Sequence, residues 1–247
     1  MRLVALGSGD AFCSEGRGHT AWLGEGFCVD FGATALQAMK KLGRDPLELE
    51  AVHFTHLHGD HVAGWPFLLL DAMVRARRTA PLLASGPPGL RERLEQLFRL
   101  SYADTSQRPL PFEVRYHELL PGERTLLCAR EVQAFEAKHM RPPHVALSLR
   151  IGALAFTGDT GAHAGLTQLF DGARVLCVEC TDLTPGNDRH LSWEELKRLL
   201  PRGPRILLGH LGSEARLAAV RIEEEARALG LDLSVCDDLQ SFECGAV

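Results

Sequence analysis

The sequence of 247 residues has few aromatic side chains and no long apolar run. Only 6% of its residues are aromatic, among them 2 Tyr and 3 Trp. No segment approaches the ~20 consecutive apolar residues that a membrane-spanning helix needs, so we expect no membrane contact. The apolar stretch after Met1 is interrupted at Gly7–Asp10, so we expect no signal peptide. These features predict a cytoplasmic protein.

The sequence also lacks an excess of positive charge. It has 27 Lys and Arg residues against 32 Asp and Glu residues, which gives a net charge of −5. This balance provides no long-range attraction to nucleic acid, which is not the expected partner, although the balance does not exclude it. A basic cluster at Arg75–Arg78 ends a predicted helix, where cations complement the helix dipole. We interpret the cluster as a solvated helix end rather than a phosphate contact.

The seven cysteines show no spacing that is typical of a disulfide framework, and their number is odd. Cys177 and Cys180 form a single Cys-x-x-Cys pair inside an apolar stretch. A zinc or redox role would need further ligands, and no second pair is present. The pair is therefore interpreted as two buried cysteines in a strand.

Apolar patterns predict alternating strands and helices along the whole chain, with no linker between them. The predicted strands are Leu3–Leu6, Thr20–Leu23, Phe27–Asp30, Ala51–Thr55, Phe112–Leu119, Glu131–Glu136, Val145–Ile151, Ala153–Thr157, Val175–Glu179, Ile206–Gly209, Leu231–Val235 and Leu239–Glu243. The predicted helices are Thr34–Leu42, Trp65–Arg77, Pro88–Leu100, Ser192–Leu200 and Ser213–Leu229. Two halves repeat one pattern, so we expect a single four-layer αββα domain over residues 1–247, an α/β sandwich of two sheets with helices outside.

Eleven histidines stand out in this composition, and three of them occur in the segment Thr55–His61. Side chains two residues apart point the same way in an extended chain, so His56 and His58 can reach one ion. Gly59 lets the chain turn, which directs Asp60 and His61 to a neighbouring ion. Imidazole nitrogens together with carboxylate oxygens suit Zn²⁺, Mn²⁺ or Fe.

The motif Thr-His-x-His-x-Asp-His at a strand end resembles the metallo-β-lactamase superfamily of metal-dependent hydrolases. The resemblance implies three further ligands after strands: His139, Asp159 and His210. It also implies two divalent metal ions. We expect Zn²⁺, with Mn²⁺ and Fe as the alternatives. In that arrangement, Asp159 bridges one ion held by His56, His58 and His139 and another held by Asp60, His61 and His210.

Within this superfamily, the sequence resembles the ribonuclease Z-like phosphodiesterase branch. The third ligand lies in Phe135–His139 and is followed by Leu147–Ile151, similar to the Phe-x-x-x-His and Tyr-Arg-Ile segments of that branch, with Leu149 where Tyr is common. The segments Leu57–Phe67 and Thr157–Thr160 agree with the same branch. The Thr-Pro-Gly-His pattern of the thioesterase and lactamase branches is absent.

The same resemblance assigns catalytic roles to three residues. His190 matches a histidine that assists at the phosphate and the leaving oxygen, and imidazole can donate a proton near neutral pH. Glu179 matches a carboxylate that would orient His190. Asp60, besides binding a metal, would orient or deprotonate the attacking water. The alternatives are a helix N-terminal histidine before the cap Ser192, and a plain strand-end carboxylate at position 179.

One departure from the branch bears on the substrate. Only residues 140–158 separate His139 from Asp159, which leaves no room for the long arm of the tRNA-processing members. We therefore expect a small phosphodiester or nucleotide, attacked by a metal-bound hydroxide. The alternatives are a lactone, thioester or amide hydrolase, a tRNA 3′-end processing endonuclease, an iron oxidoreductase and a metal-binding regulator without turnover. A homodimer is compatible with the sequence, which does not fix the oligomeric state.

Other residues receive weaker interpretations. His144 follows Pro142-Pro143 and could project over the metals as a substrate contact. Asp10, in the segment Gly7-Ser-Gly-Asp-Ala11, is a candidate to support a ligand. The remaining histidines are expected to be structural or on the surface: His19, His53, His117 and His163.

Overall fold

The computed structural model describes residues 1–244, which form two sheets of seven strands each. The first sheet has the order β14-β1-β2-β3-β4-β5-β6 and the second the order β13-β12-β11-β10-β9-β8-β7. The strands are β1 (Arg2–Gly7), β2 (Ala21–Leu23), β3 (Phe27–Val29), β4 (Ala51–His53), β5 (Leu82–Gly86), β6 (Val114–Glu118), β7 (Arg124–Leu127), β8 (Arg130–Glu136), β9 (Leu147–Ile151), β10 (Leu154–Phe156), β11 (Val175–Glu179), β12 (Arg205–Gly209), β13 (Asp232–Val235) and β14 (Gln240–Glu243).

Eight α-helices are formed by the described residues: α1 (Ala35–Lys41), α2 (Gly59–Val62), α3 (Trp65–Leu70), α4 (Leu90–Ser101), α5 (Leu166–Phe170), α6 (Trp193–Leu199), α7 (Ser213–Leu217) and α8 (Ala219–Ala228). A wider π-helical turn, Asp71–Arg75, extends α3. Short 3₁₀ turns occupy Ser14–Gly16, Pro46–Glu48 and Thr105–Gln107. No helix in residues 1–244 has the length and apolar character that a membrane span requires.

Three apolar clusters hold the layers together. Successive side chains of a strand point to opposite faces of its sheet, so one strand can contribute to two clusters. On β1, Leu3 and Ala5 join the cluster between the two sheets. Val4 and Leu6 instead join a cluster that includes Trp65 of α3. A third cluster packs the second sheet against its own helices, α5, α6 and α8 among them. The chain therefore folds as helix, sheet, sheet and helix layers, and the predicted αββα sandwich is confirmed.

Parallel strands place the functional loops at one edge of the sandwich. The run β3 to β6 in the first sheet is parallel, as is the run β10 to β13 in the second. The carboxyl ends of parallel neighbours lie at the same edge, where binding residues are commonly carried. The loops after β4, β10, β11 and β12 all leave from this edge.

Several predicted elements differ from the structure. The helix expected over Ser213–Leu229 is two helices that meet at Ala218, whose φ and ψ of −90° and 10° are not helical. The edge strand β7 was not predicted, because its Leu126 is 71% exposed and the strand shows no apolar alternation. The short helices α2 and α5 were not predicted either, since four or five residues are too few to reveal a helical period.

The solvated interpretation of the cluster Arg75–Arg78 is wrong for its last residue. Arg78 is buried, and its guanidinium donates to the carbonyl oxygens of Ala80 at 2.7 Å and Pro81 at 2.6 Å. The guanidinium also lies over the ring of Phe112, 5.7 Å from the ring centroid. Arg78 therefore holds the turn before β5 instead of facing solvent. The interpretation of Cys177 and Cys180 is confirmed as to burial, since both are buried and free, but only Cys177 lies in β11, and Cys180 directly follows that strand.

Candidate metal centre

Seven side chains from four segments, those after β4, β8, β10 and β12, converge at the carboxyl edge of the strands. His56 and His58 follow β4, and Asp60 and His61 lie in α2 directly after them. The others follow β8, β10 and β12: His139, Asp159 and His210. These side chains form two groups whose donor atoms lie within 4.8 Å of one another: His56, His58 and His139, and Asp60, His61, Asp159 and His210. All seven predicted ligands are thus brought together.

Asp159 lies at the centre of this cluster. Its Oδ2 is 3.8 Å from Nε2 of both His56 and His139. The same oxygen is 3.4 Å from Nε2 of His61 and 3.2 Å from Nε2 of His210. Donor atoms bound at about 2.0–2.1 Å to a tetrahedral zinc ion stand about 3.3 Å apart, so the observed spacing suits metal ligands. One carboxylate in contact with both groups is the arrangement that a bridging ligand requires.

In four of these histidines, Nδ1 points away from the centre of the cluster and has a hydrogen-bond partner that orients the ring. Nδ1 of His61 contacts Asp30 at 2.8 Å, and Nδ1 of His139 contacts the carbonyl of Arg189 at 3.0 Å. Nδ1 of His56 and His210 contact the hydroxyls of Thr55 and Thr181 in the same way. Such partners fix the ring and the tautomer of a histidine that binds metal through its other nitrogen.

The ring nitrogens that face the centre of the cluster are placed to bind a metal ion. Nε2 of His56 is buried and has no hydrogen-bond partner in residues 1–244, and the buried Nε2 of His61 lies between the carboxylates of Asp60, at 3.1 Å, and Asp159, at 3.4 Å. A buried polar atom without a partner is costly unless a ligand satisfies it. Nδ1 of His58 and Nε2 of His139 are 3.0 Å apart, so both lone pairs can point at one cation. The donor set of imidazoles and carboxylates, with no thiolate, suits Zn²⁺, Mn²⁺ or Fe.

Burial and mutual contacts shift the ionisation of these groups. Burial lowers the pKa of His56 well below its usual value and the pKa of His139 to about 4, so both rings are neutral and able to bind metal. Burial would raise the pKa of Asp60, but hydrogen bonds with His210 and His61 outweigh it and hold this pKa well below the ordinary range. Burial would lower the pKa of His210, but Asp159 and Asp60 outweigh it and raise this pKa to about 9. The carboxylates therefore make the centre attractive to cations.

Glu179 and His190 form a pair beside the cluster. Nδ1 of His190 lies 3.1 Å and 3.2 Å from the two carboxylate oxygens of Glu179. The ring of His190 stacks on that of His210, with centroids 5.4 Å apart, and meets the ring of His139 edge-on at 4.8 Å. Burial would lower the pKa of His190, but its hydrogen bond with Glu179 outweighs burial and raises the pKa. The two predicted residues are therefore in direct contact and next to two predicted ligands.

Two supporting residues were missed by the sequence analysis. Asp30 accepts hydrogen bonds from the backbone N–H and the hydroxyl of Thr55, and it also contacts Nδ1 of His61. It therefore fixes His61 and the residue that precedes His56. Thr181 contacts Glu179, His190 and His210 through its hydroxyl. Asp30 carried the signal that identified Asp159, an acid directly after an apolar strand. A single threonine after a strand carries no comparable signal.

Three other interpretations need comment. Asp10 accepts hydrogen bonds from Phe12 and Ser14 of its own loop, so no contact with a predicted ligand supports its proposed role. His144 is exposed, and its side chain has no hydrogen bond or ion pair within residues 1–244, so its substrate contact stays a prediction. His19 lies beside the cluster, because a Cβ on Gly32 would meet both His19 and the backbone of Asp60. It is the one expected structural histidine that borders the site.

We expect Gly32→Ala to weaken metal binding, although Gly32 lies outside the histidine motif. An added Cβ would come within 2.0 Å of the carbonyl oxygen of Asp60, so the backbone that carries Asp60 and His61 must move. A displacement of about 1 Å in a catalytic constellation can cost about 100-fold in rate, and we expect a loss of that order in kcat/KM. Metal affinity, measured by competition with a chelating dye, should fall with it.

Gly59→Ala is the matched control, because Gly59 lies within the motif yet has open space around it. It is the first residue of α2, where alanine is a better helix former than glycine. The predicted turn at Gly59 is in fact the start of this helix. We expect unchanged metal affinity and an equal or higher Tm for this variant. Equal metal affinity in both glycine variants would contradict the close approach of Gly32 to Asp60.

Comparisons with known proteins agree with this geometry. Residues 25–208 match the model of the beta-lactamase superfamily domain. The chain is 25% identical to Ribonuclease Z of Methanothermobacter thermautotrophicus over 306 residues, which cover 100% of this chain and 97% of that protein. It is 32% identical to Ribonuclease Z of Lachnoclostridium phytofermentans over 145 residues, but these are 56% of this chain and 45% of that protein.

The fold has solved counterparts. The metallo-beta-lactamase fold protein YhfI of Bacillus subtilis superposes with a TM-score of 0.77 at 16% identity and covers 98% of each chain. At this identity the superposition concerns the fold alone. The family match over most of the chain confirms the resemblance seen in the histidine motif. The chain belongs to the beta-lactamase superfamily and is a metal-dependent hydrolase similar to ribonuclease Z.

Proposed function

We propose that this protein is a dinuclear phosphodiesterase that uses two Zn²⁺ ions to hydrolyse a small phosphodiester or nucleotide. The observation that carries the proposal is the central position of Asp159, whose Oδ2 lies within 3.8 Å of imidazole nitrogens from both ligand groups. A single-metal site would need no carboxylate in contact with both groups. Ribonuclease Z, the name of its relatives, also denotes an enzyme that cuts phosphodiester bonds.

The ligands divide as the two groups suggest. His56, His58 and His139 would hold one ion, and Asp60, His61 and His210 the other, with Asp159 shared. When bound, a pair of zinc ions supplies an activated water at neutral pH and neutralises charge on the phosphate oxygens. The exposed position of His58 leaves the first ion group open to substrate, whereas His56 and His61 are buried behind it.

His190 is placed to donate a proton to the leaving oxygen. Its Nδ1 is engaged by Glu179, and its Nε2 has no hydrogen-bond partner in residues 1–244. Glu179 is itself held by the backbone N–H of Thr160 at 2.6 Å and by the hydroxyl of Thr181 at 2.7 Å. The carboxylate therefore fixes the ring while the free nitrogen faces the site. Glu179 acts as a positioning residue, and His190 is the group that would touch the substrate.

The small size of the expected substrate rests on what lies between His139 and Asp159. This segment consists of a short loop followed by β9 and β10, which are paired inside the second sheet. The alignment with the archaeal ribonuclease Z extends over 306 residues, whereas this chain has 247, so the relative contains residues without a counterpart here. These observations favour a small phosphodiester over tRNA for this chain.

A substrate screen tests the proposal. The purified protein, stripped by a chelator and reloaded with Zn²⁺, Mn²⁺ or Fe²⁺, is assayed on bis(p-nitrophenyl) phosphate, a 2′,3′-cyclic nucleotide, a lactone, a thioester and a precursor tRNA. We expect turnover of the two phosphodiesters to require metal and to be lost in His58→Ala, which should remain folded by circular dichroism. Faster cleavage of the lactone or thioester, or cleavage of tRNA alone, would replace the proposed substrate class.

A further inference from the structure

A second cavity, of about 330 Å³, lies on the outer side of the first sheet, away from the metal centre. It is open to solvent on one side and bordered by α4, by the segment that leads from α4 to β6, by β6 itself and by Leu69 of α3. None of the predicted ligands or catalytic residues lines it. Its volume falls in the range of small-molecule sites, about 300–1,000 Å³.

The charged residues of this cavity leave two positive charges without a partner. Arg91 is paired with Glu95 at 2.9 Å and lies over the ring of Tyr116. Arg99 and Arg108, both exposed to solvent, also line the cavity, and their guanidinium groups have no hydrogen bond or ion pair with any residue in the part of the chain that the structure describes. Guanidinium groups stay charged at all physiological pH values, so the cavity is positive although the chain as a whole carries −5.

The remaining wall is mostly apolar and carries two hydroxyl groups, of which that of Ser106 donates to the carbonyl oxygen of Ala103. Phe98 is buried and Leu110 is half-buried, and both line the cavity. The hydroxyl of Tyr116 has no hydrogen-bond partner within residues 1–244. Burial raises the pKa of Tyr116 to about 12, which keeps this hydroxyl protonated. A ligand for this cavity therefore combines a doubly negative group with a flat, mostly apolar body that carries a hydrogen-bonding edge.

We propose that the cavity is a binding site for a nucleoside monophosphate. A phosphate monoester carries a charge of about −1.5 to −2 near neutral pH, which matches the two unpaired guanidinium groups of Arg99 and Arg108. Arginine also binds phosphate oxygens with two parallel hydrogen bonds. The base packs against Phe98 and Leu110, and the hydroxyl of Tyr116 bonds to its edge. The site is separate from the metal centre and does not depend on the reaction proposed there.

Isothermal titration of the metal-loaded protein with AMP tests this site. The decisive variant is Arg99→Gln/Arg108→Gln, which keeps two polar side chains, although shorter ones, and removes both charges. Arg93→Gln is the matched control, because Arg93 is an exposed arginine of the same helix that does not line the cavity. Since one charge-assisted contact is worth roughly tenfold in affinity, we expect about tenfold or greater weakening in the double variant and none in Arg93→Gln.

Two further measurements separate this site from the catalytic one. In Asp60→Ala, which alters only the metal centre, AMP should still bind, and adding Arg99→Gln/Arg108→Gln should still weaken that binding about tenfold or more. Adenosine and inorganic phosphate should each bind at least about tenfold more weakly than AMP, because each satisfies only part of the cavity. Unchanged AMP affinity in Arg99→Gln/Arg108→Gln, or equal affinity for AMP and phosphate, would overturn the proposal.

Discussion

Replacement of Asp159 by alanine is expected to release both metal ions and to lower phosphodiester turnover by about 10³-fold or more. The reason is its position, since one carboxylate oxygen contacts the inner nitrogens of His56, His61, His139 and His210. Without it, each ion would keep three protein ligands and two positive ions would face each other with no anion between them. The affinity for both metal ions should therefore fall together.

Metal content distinguishes this effect from the loss of an ordinary ligand. We expect two equivalents of zinc per chain in the wild type, about one in Asp60→Ala and close to none in Asp159→Ala after dialysis at the same free zinc concentration. Asp104→Ala serves as control, because Asp104 is an exposed acid whose carboxylate accepts one hydrogen bond within residues 1–244, from the hydroxyl of Thr105. Two retained equivalents in Asp159→Ala would show that Asp159 does not bridge the ions.

The local part of this centre was open to prediction from sequence. His56, His58, Asp60 and His61 lie within six residues, so their spacing alone brings them together. The remaining ligands lie far along the chain. Their closeness to the motif can be inferred only once it is known that the strands before them end at the same edge of the sandwich. Sequence indicated them through the resemblance of the motif to a known superfamily, which implies His139, Asp159 and His210 after strands, and the strands before Asp159 and His210 are apolar. The αββα arrangement followed from the same strand pattern.

The features that escaped prediction depend on contacts distant in sequence. Asp30 supports His61 across 31 residues, and Thr181 contacts His210 across 29, so neither relation leaves a local pattern. The second cavity forms only when the segment after α4 folds back against that helix, which apolar periodicity does not reveal. Arg78 looked like a solvated cation because charge was visible in the sequence, whereas the carbonyls that accept its hydrogen bonds were not.

Replacement of His190 by alanine is expected to lower kcat on alkyl phosphodiesters by about 10²–10³-fold while both zinc ions remain bound. The ring lies against His139 and His210, and its outer nitrogen is held by Glu179. A proton donor matters most when the leaving group is a strong base. The loss should therefore be much smaller for bis(p-nitrophenyl) phosphate, because p-nitrophenolate leaves without a proton.

Glu179→Gln tests whether the carboxylate acts through His190. Glutamine keeps the side-chain size and some hydrogen bonds to Thr160 and Thr181, but it removes the charge next to the imidazole. We expect a smaller loss of kcat than in His190→Ala, with the same dependence on the leaving group and little change in KM. Adding Glu179→Gln to His190→Ala should then cost little more, because the carboxylate has lost the ring that it positions.

His190 also lies within metal-ligand distance of His139 and Asp159. Loss of one zinc equivalent in His190→Ala, with equal losses for both leaving groups, would therefore identify His190 as a metal ligand instead of a proton donor.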